Sequence, residues 1–130
     1  MATWLVSGAL AGAAACGAGP QPTCEPQAGT EKVALAFRSD GVEGASNLTV
    51  KLTIGSAVDT HASVSPGTLF DLGQTSTGGC VSIDVSNGTS EGAVRANILV
   101  DNCFVASAQC EGACTAHAEA QLARTPCVNY

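Results

Sequence analysis

The seven cysteines are the feature that most limits how this chain of 130 residues can fold. Cys16 stands apart, because it ends an apolar N-terminal stretch. An even set of cysteines remains, and such a set in a small chain is typical of an exported protein cross-linked by disulfides. We therefore predict a disulfide-stabilised domain outside the cytoplasm. The six remaining cysteines are Cys24, Cys80, Cys103, Cys110, Cys114 and Cys127.

Cross-links should matter more than usual here, because the composition predicts a thin interior. Aromatic residues make up only 4% of the chain, whereas small residues such as glycine and alanine are abundant. Small side chains bury little apolar surface, and each Å² buried contributes only about 25 cal/mol. Disulfides are then expected to supply part of the stability that the core does not.

Several segments alternate apolar and polar residues with a period of two, which is typical of half-buried antiparallel strands. The clearest is residues 47–54, in which Leu48, Val50, Leu52 and Ile54 fall on one face. We predict further strands from the same alternation or from short apolar runs. They cover residues 32–38, 60–64, 68–72, 80–85 and 93–105.

Residues 114–124 can be read as a helix by propensity or as a strand by alternation. We predict a strand, because residues 110–114 look like a hairpin tip that closes back on the preceding strand. The whole pattern predicts an all-β fold. Its expected form is an antiparallel β-sandwich, immunoglobulin-like or related, of about six to eight strands.

The N-terminus is apolar or small in residues 4–15, and no charge precedes Glu25. This run is shorter than the roughly 20 residues that span a bilayer, and it fits the apolar part of an export signal. The block Ala13-Ala14-Ala15-Cys16 resembles the lipobox of bacterial lipoproteins. The resemblance implies that Cys16 is acylated and becomes the mature N-terminus, so the membrane is a partner through the lipid anchor. It also implies an outer-membrane or cell-surface location.

Two alternatives stay open at the N-terminus. Ordinary cleavage after Ala15 would give a secreted protein with Cys16 as a free thiol, and the apolar segment could also be retained as a helix. We predict an export signal over residues 1–15, a lipidated cysteine and tether over 16–29, and the β-sandwich over 30–130. No family is recognised for the folded domain.

The six remaining cysteines permit fifteen pairings, which expected geometry can rank. Cys110 and Cys114 bracket three residues and should face each other across the predicted hairpin. Cys80 and Cys103 should emerge on one face of two strands joined by the Asn87-Gly88 turn. Cys24 and Cys127 are then left to pair.

A metal site is the competing interpretation of Cys110, Cys114 and His117. Structural zinc needs four ligands and catalytic zinc three plus water, and no second cluster follows these residues. We therefore predict a disulfide, with no metal and no cofactor. Asp84, Glu91 and Asp101 flank one predicted hairpin and are candidate ligands for a calcium ion, an alternative that is less favoured because no twelve-residue calcium loop is present.

Catalytic and nucleic-acid functions find little support in the sequence. The net charge is −6 and the five cations are scattered singly, so we predict no nucleic-acid binding. Residues 88–92 match the G-x-S-x-G nucleophile elbow around Ser90, but a β-rich run follows where an elbow needs a helix. His61 and His117 belong to no recognisable catalytic set. We predict no enzymatic activity and no catalytic residues.

The function expected from these features is that of an exported, lipid-anchored cell-envelope module that binds an unidentified protein or surface ligand, or serves as a structural surface. One alternative is a subunit of an extracellular assembly that retains its apolar N-terminus. A less favoured alternative is a small secreted hydrolase that uses Ser90 with His61 or His117.

Overall fold

The computed structural model describes residues 24–124, and these residues form eight β-strands. The all-β prediction is confirmed, and residues 115–121 form a strand rather than a helix. Within the described range no helix is long and apolar enough to cross a membrane. The strands are β1 (Lys32–Val42), β2 (Leu48–Ile54), β3 (Ala57–Val64), β4 (Thr68–Ser76), β5 (Cys80–Ser86), β6 (Ala93–Val100), β7 (Cys103–Glu111) and β8 (Thr115–Gln121).

The strands form two four-stranded sheets that pack face to face. Sheet A has the order β4-β1-β6-β7, and sheet B has the order β3-β2-β5-β8. Every neighbouring pair in both sheets is antiparallel. The predicted antiparallel β-sandwich is therefore confirmed.

The interior is built from the faces that the alternation predicted. On β1 the inward residues Val33, Leu35 and Phe37 are completely buried, and the corresponding residues of β2 and β6 are buried as well. Phe37 is the largest of the fully buried side chains, and most of the others are valine, leucine or isoleucine. Each alternating strand thus contributes one apolar row to a core that contains little aromatic surface.

The predicted strand over residues 93–105 is wrong in one respect, because it is two strands joined by a tight turn. Asp101 and Asn102 form this turn, and both have positive φ angles, 52° and 65°. Aspartate and asparagine tolerate this left-handed conformation better than most residues, and hairpin turns of this kind require it. The chain therefore reverses at Asp101 and returns as β7 along β6.

Two predicted hairpins are also wrong, because their strands belong to different sheets. β5 lies in sheet B and β6 in sheet A, so residues 87–92 cross between the sheets instead of closing a hairpin. Likewise β7 lies in sheet A and β8 in sheet B, and residues 112–114 connect them. Both connections lie at the same end of the sandwich, where Asn87 N–H donates to the carbonyl oxygen of Cys114.

The Cys110–Cys114 disulfide is confirmed, with a Cα–Cα distance of 6.2 Å. Because Cys110 belongs to β7 and Cys114 immediately precedes β8, this bond ties the edges of the two sheets together.

The predicted pairs Cys80–Cys103 and Cys24–Cys127 are wrong, because Cys24 is bonded to Cys80 with a Cα–Cα distance of 5.8 Å. Cys80 begins β5 of sheet B and Cys103 begins β7 of sheet A, so these two residues do not share a sheet face. Cys103 is itself disulfide-bonded. Cys16 and Cys127 lie outside the described residues.

Residues 24–31 have no regular secondary structure but are bonded to the turn between β4 and β5. Gln27 N–H donates to the carbonyl oxygen of Gly78 at 2.8 Å, and Thr77 N–H donates to that of Glu31 at 2.9 Å. Gly78 has a φ of 93°, and a side chain there would collide with the Gln27 carbonyl. Together with the Cys24–Cys80 bond, these contacts fix the described start of the chain to the sandwich.

Candidate functional site

The outer face of sheet A carries polar side chains that lie opposite one another on three neighbouring strands. The strand register places residues of β1, β6 and β7 in cross-strand rows, where facing side chains are in contact distance. The two polar rows are Arg38–Asn97–Ser107 and Asp40–Arg95–Gln109.

A β-bulge in β7 adds an aromatic ring to this face. The register pairs Asn97 with Ser107 and Leu99 with Phe104, and it shifts between these two pairs. Since positions 97 and 99 share a face, Phe104 and Ser107 share it too, although an unbulged strand would place them on opposite faces. The bulge therefore turns Phe104 toward the two polar rows.

Asn97 is the centre of the polar rows and is only 2% exposed, although it points away from the core between the sheets. Its Nδ2 donates to Asp40 Oδ2 at 2.8 Å and to the Arg38 carbonyl oxygen at 3.3 Å. Its Oδ1 accepts a hydrogen bond from Ser107 Oγ at 2.9 Å. A buried amide satisfied on both sides holds its neighbours in one arrangement, so the site is preorganised.

The two arginines of this face differ in whether a carboxylate pairs with their positive charge. Arg38 Nε donates to Asp40 Oδ2 at 3.0 Å, and its guanidinium lies 5.2 Å from the centre of the Phe104 ring, a cation–π distance. Arg95 donates to the neutral Oε1 of Gln109 at 2.9 Å. Within residues 24–124, no carboxylate oxygen lies within 4.0 Å of the Arg95 guanidinium. Arg95 therefore presents a positive charge without an acidic partner in that range.

These side chains enclose a groove of about 440 Å³, which we call the arginine groove. A smaller depression of about 190 Å³ adjoins it and shares both arginines. The larger volume is within the range of small-molecule sites. The groove is lined by Arg38, Arg95, Asn97, Phe104, Val105, Ala106 and Ser107.

A second polar cluster lies on the outer face of sheet B around His117. Its Nδ1 is 2.6 Å from Asp84 Oδ1, its Nε2 is 3.2 Å from Glu119 Oε1, and Lys51 Nζ lies 3.9 Å from Asp84. Burial lowers the pKa of His117, but hydrogen bonds to the two carboxylates and their charge outweigh burial, so this pKa is raised above 6.5. The cluster is a partly exposed network in which the positive charges of Lys51 and protonated His117 are balanced by the carboxylates of Asp84 and Glu119.

The residues of the hydrolase alternative are not brought together. Ser90 lies in the connection over residues 87–92, which Asn87 holds by donating from Nδ2 to the carbonyl oxygens of Glu91 and Gly112. His61 pairs with Asp59 at 2.9 Å and its ring lies 4.9 Å from that of Phe70. In the described part of the chain, no hydrogen bond joins Ser90 to either histidine.

The residues of the calcium alternative are also separated. Asp84 contacts His117, whereas Asp101 Oδ1 accepts a hydrogen bond from the N–H of Ala34. Across residues 24–124, no group of three or more histidine, cysteine, aspartate or glutamate residues is arranged to hold a metal ion.

No protein-family model matches this chain, and no curated protein matches it either. The arginine groove is accordingly defined by geometry alone. Its arginines look isolated in the sequence, because Arg38 and Arg95 are 57 positions apart (95 − 38) and are brought together only by the register of β1 with β6. The one local signal is Asn97, a polar residue in the middle of an apolar run.

Proposed function

We propose that this protein is an extracytoplasmic, lipid-anchored β-sandwich that acts as a non-enzymatic binding module through the arginine groove. The observation that carries the proposal is the groove itself, a preorganised and positively charged concavity in a chain of net charge −6. Preformed concave sites with a few convergent polar groups are the usual form of ligand sites.

The chemistry of the groove supports binding rather than catalysis. Arginine stays protonated throughout the physiological range and can orient an anion without exchanging a proton with it. The Ser107 hydroxyl donates to Asn97, and the Asp40 carboxylate accepts from Arg38 and Asn97. The groove therefore offers donors for a ligand, while its hydroxyl and carboxylate are already engaged.

The disulfides support the extracytoplasmic part of the proposal. Cys24–Cys80 and Cys110–Cys114 are compatible with an oxidising compartment, because thiols are kept reduced in the cytoplasm. The lipid anchor rests on the lipobox-like context of Cys16, and several acyl chains would hold the protein firmly at the membrane.

Cell fractionation combined with intact-mass measurement tests the location and the anchor. The full chain is expressed in a bacterium that processes lipoproteins, beside Cys16→Ser and the control Ser7→Thr. We expect the parent and the control in the membrane fraction, without residues 1–15 and with acyl mass on Cys16. We expect Cys16→Ser to leave that fraction.

Other results of the same experiment distinguish the alternatives. A soluble exported parent with unmodified Cys16 would overturn the anchor while keeping the location. A chain that retains Met1 and elutes as large particles would favour the assembly-subunit hypothesis instead.

A further inference from the structure

We infer that the arginine groove binds a small organic monocarboxylate with a planar apolar part. This inference rests on the proposed binding function and adds the chemical class of the ligand. It is carried by the juxtaposition on one sheet face of a guanidinium that forms no ion pair within residues 24–124, an aromatic ring and a cavity of about 440 Å³.

The charge of the groove favours an anion with a single negative charge. The charge of Arg38 is matched by Asp40 at 3.0 Å, whereas Arg95 is matched within the described residues only by the neutral amide of Gln109. One net positive charge therefore faces the cavity. Two further carboxylates lie on this outer face in adjoining rows, Glu111 opposite Ala93 and Asp71 opposite Ala36, and they would oppose an anion of higher charge such as a phosphate dianion.

The shape of the donors favours a carboxylate. A guanidinium presents a planar fork of N–H groups that matches the two oxygens of a carboxylate and forms strong charge-assisted hydrogen bonds. Gln109 occupies one terminal nitrogen of Arg95, and no other residue of the range 24–124 accepts a hydrogen bond from that side chain, so its remaining donors can serve a ligand.

The apolar side of the cavity favours a ligand with a flat apolar part. Phe104 is turned onto this face by the bulge, and the residues that follow it, Val105 and Ala106, line the same cavity. An aromatic ring packs favourably against another flat ring in an offset or edge-to-face arrangement. The carboxylate is thus expected at Arg95 and the apolar part along Phe104.

A titration followed by ¹H–¹⁵N NMR tests this inference. The oxidised full chain carrying Cys16→Ser is titrated with benzoate, and with benzamide as the uncharged analogue of similar shape. We expect benzoate to shift the signals of Asn97, Phe104 and the Arg95 side chain, with weaker binding of benzamide. Arg95→Gln should weaken benzoate binding roughly tenfold, because a charge-assisted bond is lost.

Two further variants make the outcome decisive. Lys51→Gln removes the same charge from the outer face of sheet B and should leave benzoate binding unchanged. Phe104→Leu should weaken both probes and keep the preference for benzoate. Equal binding of benzoate and benzamide, equal binding by the parent and a folded Arg95→Gln variant, or shifts away from the groove would each overturn the inference. The location of the protein and the acylation of Cys16 are measured by fractionation and intact mass and do not depend on the titration. A failure of the ligand inference can therefore be distinguished from a failure of the proposed location and anchor.

Discussion

At the residue scale, Asn97 is a polar residue that is only 2% exposed although it lies on the outer face of a sheet. Removing the amide takes one of two donors from Asp40, breaks the side-chain bond to the Arg38 carbonyl oxygen and leaves the Ser107 hydroxyl without its acceptor. Unsatisfied groups of this kind cost about 1–3 kcal/mol. We predict that Asn97→Ala lowers the free energy of unfolding by that amount in urea titrations. Ser107→Ala breaks one bond of the network and should cost less, so a larger loss for Ser107→Ala would contradict the assignment.

His117 is expected to stabilise the folded protein more at low pH than at high pH, because its pKa is raised on folding. Burial lowers the pKa of His117, but hydrogen bonds to Asp84 and Glu119 and the charges of these carboxylates raise it by more than burial lowers it. The folded protein therefore holds the proton more tightly than the unfolded chain does. The stabilisation is fully present below the unfolded value of 6.5 and is lost as pH rises through the raised pKa. We predict that the stability difference between the parent and His117→Gln is larger at about pH 5.5 than at about pH 8. Urea unfolding of both proteins at both pH values measures it, and a difference that grows with pH would refute the role of the cluster.

At the element scale, the turn between β6 and β7 depends on two residues with positive φ. A β-branched side chain at such a position is strained, and strain of this kind costs about 1–3 kcal/mol. We predict that Asn102→Val lowers the free energy of unfolding by this amount, whereas Asn102→Gly leaves it unchanged or raises it slightly. Chemical unfolding of the two variants checks the turn, and equal stabilities would argue against it.

The same element shows what local sequence can and cannot reveal. The alternation of Val33, Leu35 and Phe37 identified the buried face of β1, because a period of two is a property of the strand itself. The pairing of strands is a property of the whole fold. Asp101-Asn102 interrupts a β-rich run without a glycine or proline, so the turn was missed. The distribution of these strands, with β5 and β8 in one sheet and β6 and β7 in the other, was not predicted either. Two of the three predicted disulfides are also wrong.

The candidate site was less predictable than the fold for the same reason. Arg38 and Arg95 meet only through the β1–β6 register, and Phe104 joins them only because of the bulge in β7. Neither register nor bulge has a local signature in this chain. The alternation of inward and outward residues along each strand could place these side chains on the outer face of a sheet. It could not show that they lie on the outer face of the same sheet.

At the scale of the whole molecule, the two described disulfides should contribute unequally. They span sequence separations of 56 and 4 residues. In the chain-entropy model, closing these loops stabilises the fold by about 4 and about 2 kcal/mol. We predict that Cys24→Ala with Cys80→Ala lowers stability more than Cys110→Ala with Cys114→Ala does. Guanidinium unfolding of the two double variants measures the order, and the reverse order would show that the small loop stabilises by another route.

The central claim is that the sandwich matures outside the cytoplasm with its cysteines oxidised. Its most direct test is peptide mapping of the protein from intact cells, alkylated before lysis and digested without reduction. We predict a peptide containing Cys24 joined to one containing Cys80, with neither cysteine alkylated. Recovery of Cys24 and Cys80 as two separate alkylated peptides would contradict the claim.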